Sequence, residues 1–196
     1  MEKKILYFDR PGKANTDGTL RLARERAEEL DVGQVVVAST HGYTAQRAKS
    51  IFGDLGVKIV AVSICASFDE KGWTMSPQER KALEDMGITV LTAMHALGDD
   101  VNDAFSGDTP NRIVRETLYR FCQGMKVAVE IALMAADAGV IDTSREVISV
   151  GGTGEGADTA IVLKPAFARR FKDLEIREIL AKPRQDVPAS NTRKGK

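Results

Sequence analysis

The segment Val37-Ala38-Ser39-Thr40-His41-Gly42-Tyr43-Thr44-Ala45 concentrates residue types that bind a small anion. An apolar, β-branched run breaks into hydroxyl side chains, turns on a glycine and enters a helical pattern. A helix start leaves backbone N–H groups without intrahelical acceptors and carries the positive end of the helix dipole, so it attracts phosphate or carboxylate. Ser39, Thr40 and Thr44 add hydroxyl donors, and Gly42 lets the backbone approach a ligand closely. The same residues also describe an ordinary strand-to-helix turn with a threonine cap, and the sequence leaves both readings open.

A second candidate runs from Gly151 to Thr159. Gly152, Gly154 and Ala157 satisfy G-x-G-x-x-A, but that dinucleotide fingerprint must open a helix, and here Ala160-Ile161-Val162-Leu163 reads as a strand. No Gly-Lys-Ser/Thr is present, so the segment is not a P-loop. A glycine-rich hairpin with Thr153, Gly154, Asp158 and Thr159 can wrap a ligand with its amides, or it can be a plain connection. Glu130 is a third candidate, because Val127 to Ala136 contain no other polar side chain. Satisfaction by internal donors is favoured there over a ligand contact. His41 and His95, the only histidines, have no fixed spacing to carboxylates and give weak support for a metal. No G-x-S-x-G elbow accompanies them, and Cys65 reads as packed.

Positioning these residues is the task of alternating strands and helices. Strands are predicted at Lys4 to Phe8, Gln34 to Ser39, Val57 to Ser63, Ile88 to Leu91, Glu146 to Val150, Ala160 to Leu163 and Leu174 to Leu180. Several lack alternation, as strands covered on both faces do. Helical spacing follows Asn15 or Thr16, either of which can cap it, and recurs from about Thr44 to Phe52. Ser76-Pro77-Gln78-Glu79 opens a third helix with a capping box. Pro110 to about Ala138 reads as one unusually long helical stretch, and residues 92–109 as an irregular connection. The pattern predicts an α/β fold, a mostly parallel sheet flanked by helices in three layers. Ser39 to Thr44, Ser63 to Ser67 and Thr92 to His95 then all follow strands, at the edge where such sheets bind ligands.

The 196 residues are 43% hydrophobic and 29% charged, with 28 basic against 28 acidic side chains, which fits one globular domain with no global field for nucleic acid. Two cysteines form no disulfide framework, no apolar run is long enough to span a membrane, and a cytoplasmic location is expected. One domain is expected over 1–184. A polar tail starts near Pro183, with 185–196 disordered.

Taken together, the residues resemble a known family. Ser39-x-x-Gly42-x-Thr44-Ala45 resembles the loop of the pyruvate kinase C-terminal α/β domain that holds the phosphate of a sugar-phosphate effector. The chain to about Arg184 more closely resembles stand-alone pyruvate kinase α/β domain-like proteins, through Pro11-Gly12-Lys13-x-Asn15-Thr16, Gly124-x-Lys126-Val127, Val129-Glu130-Ile131, Met134-Ala135-Ala136-Asp137-Ala138-Gly139, Gly151-Gly152-Thr153, Gly156-Ala157-Asp158-Thr159-Ala160 and Ile179-Leu180-Ala181-x-Pro183-Arg184. His41 and Tyr43 depart from the pyruvate kinase pattern, so sugar-bisphosphate binding does not simply carry over, and the catalytic barrel has no counterpart.

The resemblance implies a small-molecule-binding protein that holds a phosphorylated ligand, with flavin mononucleotide preferred and an unidentified phosphorylated metabolite otherwise. Ser39 to Thr44 would take the phosphate, and Asn15, Thr16 and the amides of Thr153 to Thr159 the ribityl chain. Tyr43, Ser63 and Phe68 would wall the ring, with Glu130 a polar partner. An enzyme of unknown reaction using that ligand, or a regulatory or assembly module, are the alternatives, and a homo-oligomer is admitted. No pyruvate kinase activity is expected.

Overall fold

The computed structural model describes residues 2–98 and 107–184. Its strands are β1 (Leu6–Phe8), β2 (Gln34–Ala38), β3 (Lys58–Ser63), β4 (Thr89–Thr92), β5 (Val147–Gly151), β6 (Thr159–Lys164) and β7 (Glu175–Pro183). They form one sheet in the order β1-β7-β6-β5-β2-β3-β4. Every neighbouring pair is parallel except β5–β6 and β6–β7, so β6 alone runs against the others. The helices are α1 (Thr16–Leu30), α2 (Tyr43–Phe52), α3 (Pro77–Asp85), α4 (Pro110–Tyr119) and α5 (Gln123–Asp137).

The lack of alternation in the strands has its cause in the layers. Val35 and Val37 of β2, Ile59 and Ala61 of β3, and Ile148 and Val150 of β5 face α1, α2 and α3. Val36, Val60, Val62 and Val147 face α5 on the other side. Both faces of the central strands are thus covered, and a polar residue on either would be buried. Alanine-rich α5 is buried along most of its length, including Ala128, Ala132, Ala135 and Ala136. A Cβ on Gly151 would stand 2.4 Å from the Gly124 carbonyl, so this helix rides on β5 closer than a side chain permits.

Three expectations are corrected. The stretch from Pro110 to Ala138 is two helices, because Cys122 is extended (φ 177°) and caps α5 itself, its Sγ accepting from Met125 N at 3.3 Å. Neither Asn15 nor Thr16 caps α1 through its side chain. The Thr16 hydroxyl instead donates to the Lys13 carbonyl (2.7 Å) and accepts from Ala157 N (3.0 Å). The last strand runs on to Pro183, which lies opposite Phe8, so the polar tail does not begin there. The capping box forms as expected, with Ser76 Oγ accepting from Glu79 N and Glu79 Oε2 accepting from Ser76 N. The expected disordered tail 185–196, and part of the irregular connection before α4, lie outside the described residues. Among the described residues no helix is long and apolar enough to cross a membrane.

Candidate functional site

The strand order reverses direction between β5 and β2. The chain leaves β2 toward β3 on one side and β5 toward β6 on the other, and a crevice at such a point is where open α/β sheets take ligands. The loops that meet there are 39–42 after β2 and 152–158 after β5. A third, 10–15, leads into α1 and is held against the second. Gly12 N donates to Asp158 Oδ2 (2.9 Å), and a Cβ on Gly156 would stand 2.7 Å from Lys13 Cα.

At the start of α2 the capping residue is Gly42, in the left-handed region at φ 88°, with no side chain to offer the first amides an acceptor. Ser39 Oγ accepts from Ala45 N at 3.2 Å, and the Gly42 carbonyl accepts from Gln46 N at 2.9 Å. The amides of Tyr43 and Thr44 find no acceptor among the described residues. Thr44 is buried, while Thr40, His41 and Tyr43 are exposed. Beside Ser39, at the end of β3, stands Ser63. The register Ala38 to Val62 makes the two serines neighbours, and both share the side-chain parity of Val37 and Ala61, toward α2. Ser63 is only 2% exposed, and its hydroxyl has no hydrogen-bond partner among the described residues. Among the same residues the buried Thr153 Oγ1, after β5, has none either.

The aromatic residues lie on the far side of this crevice, after β3. Phe68 stacks on Trp73 with centroids 6.0 Å apart and planes 6° apart, and His95 meets Phe68 at 5.4 Å. The Lys71 ammonium sits 4.9 Å from the Phe68 centroid and 5.2 Å from that of Trp73. His41 ties the α2 loop to this wall, its Nε2 lying 3.0 Å from the Gly72 carbonyl and its Nδ1 3.3 Å from Glu79. The Ser76 backbone amide, more than His41, holds the Glu79 carboxyl below its ordinary value.

Other expected residues have internal duties. Asp158 is fully buried and accepts from Gly12 N, Thr153 N (3.1 Å) and the Thr159 hydroxyl (2.8 Å). Thr159, equally buried, also meets Cys122 Sγ at 3.4 Å. Asn15 donates its side-chain amide to the Arg10 carbonyl (2.7 Å). Gly154 is exposed at the loop tip. Glu130 lies across the sheet, on the α5 side, paired with buried Lys126 and accepting from Leu97 N at 3.1 Å. The structure therefore brings together Ser39 to Thr44, Ser63, Phe68, Thr153 and Gly154 at one edge. It removes Glu130 from them and uses Asp158, Thr159 and Thr16 to fix the loops.

Sequence reasoning missed Trp73 and Lys13. The Lys13 ammonium lies 4.5 Å from the Tyr43 ring centroid and 3.2 Å from Glu155. Lys13 stands in the Pro11-Gly12-Lys13 segment that carries the family resemblance, but no spacing rule pointed from it to α2. A separate cavity of about 270 Å³ lies between the N-terminal segment, α1 and β7. Its buried Arg26 is already paired with Glu178 and Glu29, which pushes the guanidinium pKa up. That wall is a closed ion network, with the cation held by two carboxylates.

Residues 17–163 match the family described as pyruvate kinase, alpha/beta domain. Among solved structures, two of pyruvate kinase from Cryptosporidium parvum are similar to this chain at 11% and 12% identity, with TM-scores of 0.40 and 0.38. Each alignment covers 77% of this chain, which spans only 23% and 22% of those chains.

Proposed function

The chain belongs to the pyruvate kinase alpha/beta domain family, and on that premise we propose that it is a small-molecule-binding protein holding a phosphorylated ligand, with flavin mononucleotide preferred, at the carboxyl edge of its sheet. The observation that carries this reading is the buried Ser63 hydroxyl without a partner, set beside a helix start whose capping residue is a glycine. A buried hydroxyl left unpaired costs about 1–3 kcal/mol, and an anion at the α2 start would accept from it and from the Tyr43 and Thr44 amides together.

Flavin mononucleotide needs an anion cradle, polar partners for its ribityl chain and a slot for a flat ring. Residues 39–44 with Ser63 fit the first. The Thr153 hydroxyl and the loop amides fit the second, and Phe68 with half-exposed Trp73 fits the third. When bound, that group supplies redox chemistry at its ring. The alternative of an assembly module draws no support from α5, whose apolar surface is spent inside the fold.

Titration followed by flavin fluorescence tests the reading. Flavin mononucleotide is expected to bind and riboflavin to bind much more weakly, since the phosphate carries much of the affinity. Thr44→Glu places a negative charge at the α2 start and is expected to abolish binding; because Thr44 is buried, circular dichroism establishes that the variant read out is folded. Equal affinity for both flavins, or none for either, refutes the flavin assignment. Tight binding by folded Thr44→Glu moves the phosphate elsewhere. The 196-residue chain on its own is also expected to give no metal- and ADP-dependent turnover of phosphoenolpyruvate, which needs positioned metal and phosphate clamps.

A further inference from the structure

Lys13 sits where a cation is electrostatically misplaced. Its ammonium lies over the ring of Tyr43, the first residue of α2, and so near the positive end of that helix. Two groups offset the mismatch in the free protein, the Tyr43 π-face at 4.5 Å and the Glu155 carboxylate at 3.2 Å. The arrangement is not a chance meeting of two surface side chains. Gly156 packs against the Lys13 backbone, Ala157 N donates to Thr16, and Gly12 N donates to Asp158, so the loops bearing lysine and glutamate are fixed side by side. The ends of the pair remain exposed, Lys13 by 51% and Glu155 by 81%, and free to change partners.

We propose that Lys13 and Glu155 form an exchange pair at the α2 anion site: Glu155 holds the ammonium in the free protein, and a bound phosphate displaces the carboxylate and takes the lysine. This rests on the anion reading above, which has its own independent mark in the buried, unpartnered Ser63 hydroxyl facing α2. Glu155 thereby sets a threshold. It competes with every anion for the one cation, so a singly charged carboxylate gains less from displacing it than a doubly charged phosphate. The site then discriminates by charge as well as by shape.

A double-mutant cycle read by flavin mononucleotide titration at low ionic strength tests this, with riboflavin as the uncharged control. Glu155→Gln frees the lysine and is expected to tighten flavin mononucleotide binding about threefold, the scale of an exposed ion pair. Lys13→Met removes a charge-assisted hydrogen bond and is expected to weaken binding about tenfold, with Lys13→Arg restoring most of it. In the Lys13→Met background, Glu155→Gln is expected to change nothing, and riboflavin binding should be indifferent to all four variants. Persistence of the Glu155→Gln gain without Lys13 means that Glu155 merely repels anions and overturns the exchange. Unaltered binding by Lys13→Met overturns it too, while leaving the anion site standing. Failure of the wild type to bind flavin mononucleotide, or inorganic phosphate as observed through the Tyr43 and Thr44 amide resonances, overturns the exchange together with the reading beneath it.

Discussion

Asp158 is the residue whose replacement should separate a structural knot from a binding group. Its carboxylate, fully buried, accepts from Gly12 N, Thr153 N and the Thr159 hydroxyl. Asp158→Ala leaves two amides and a hydroxyl without that acceptor. Each buried orphan costs about 1–3 kcal/mol, but Gly12 and Thr153 are half-buried and Thr159 can turn toward Cys122 Sγ, so a total near 3 kcal/mol is expected.

Asp158→Asn retains one oxygen for the two amides, and the Thr159 hydroxyl can reverse to accept from the new NH2. Only the charge assistance is lost, about 1 kcal/mol. The gap between the variants is therefore about 2 kcal/mol, a large share of a typical domain stability of roughly 5–15 kcal/mol. Urea unfolding followed by far-ultraviolet circular dichroism measures it, provided the denaturant slopes agree. Equal losses for Ala and Asn, or a loss below about 1 kcal/mol for Ala, would refute the hydrogen-bond accounting.

Three further outcomes follow from the same structure. Gly124→Ala should destabilise by about 2 kcal/mol or more, although a helical Gly→Ala change ordinarily stabilises by about 1 kcal/mol, because the new Cβ would stand 2.2 Å from Thr159 Oγ1; thermal melts give the sign. Arg47 holds the Asp17 carboxyl, and Lys3 the Glu29 carboxyl, below their ordinary values, so the unfolded chain binds more protons as acid is added; the urea midpoint should fall between about pH 5 and pH 3, and less steeply in Asp17→Asn. Burial pushes the Cys122 thiol pKa up, so at pH 8 iodoacetamide should label Cys122 only after denaturation, as peptide mass analysis would reveal.

The parts of the fold legible in the sequence were those governed by local chemistry. Ser76, Pro77 and Glu79 announce a helix start by type and spacing, and valine runs without alternation announce strands covered twice. The break before α5 was hidden because a cysteine, a poor cap by type, acquires that role only by packing against Thr159 of a distant strand. The candidate site was half legible for the same reason. Ser39, Gly42 and Thr44 lie within one turn of chain, whereas the partnerless state of Ser63 and the meeting of Lys13 with Tyr43 exist only once β2, β3 and loop 10–15 are assembled. Glu130 carried a misleading signal, since Lys126 one helical turn before it already answered the charge.

The edge pairing of β1 with β7, Leu6 opposite Ala181 and Phe8 opposite Pro183, bears on the order in which the protein is made. Among the described residues β7 is the only strand that β1 touches, and it is the last of the seven in chain order. The hairpin of β5 and β6 closes a short loop and can form early, but the strand that leads into loop 10–15 has nothing to pair with until residues 181–183 exist. Lys13 itself is placed earlier in chain order, by Gly156 and Asp158 of the β5–β6 hairpin. A chain cut before β7 would leave β1 unpaired while loops 10–15 and 152–158 stay tied through Gly12 and Asp158, so the last strand closes the edge of the sheet behind a site whose loops already hold one another.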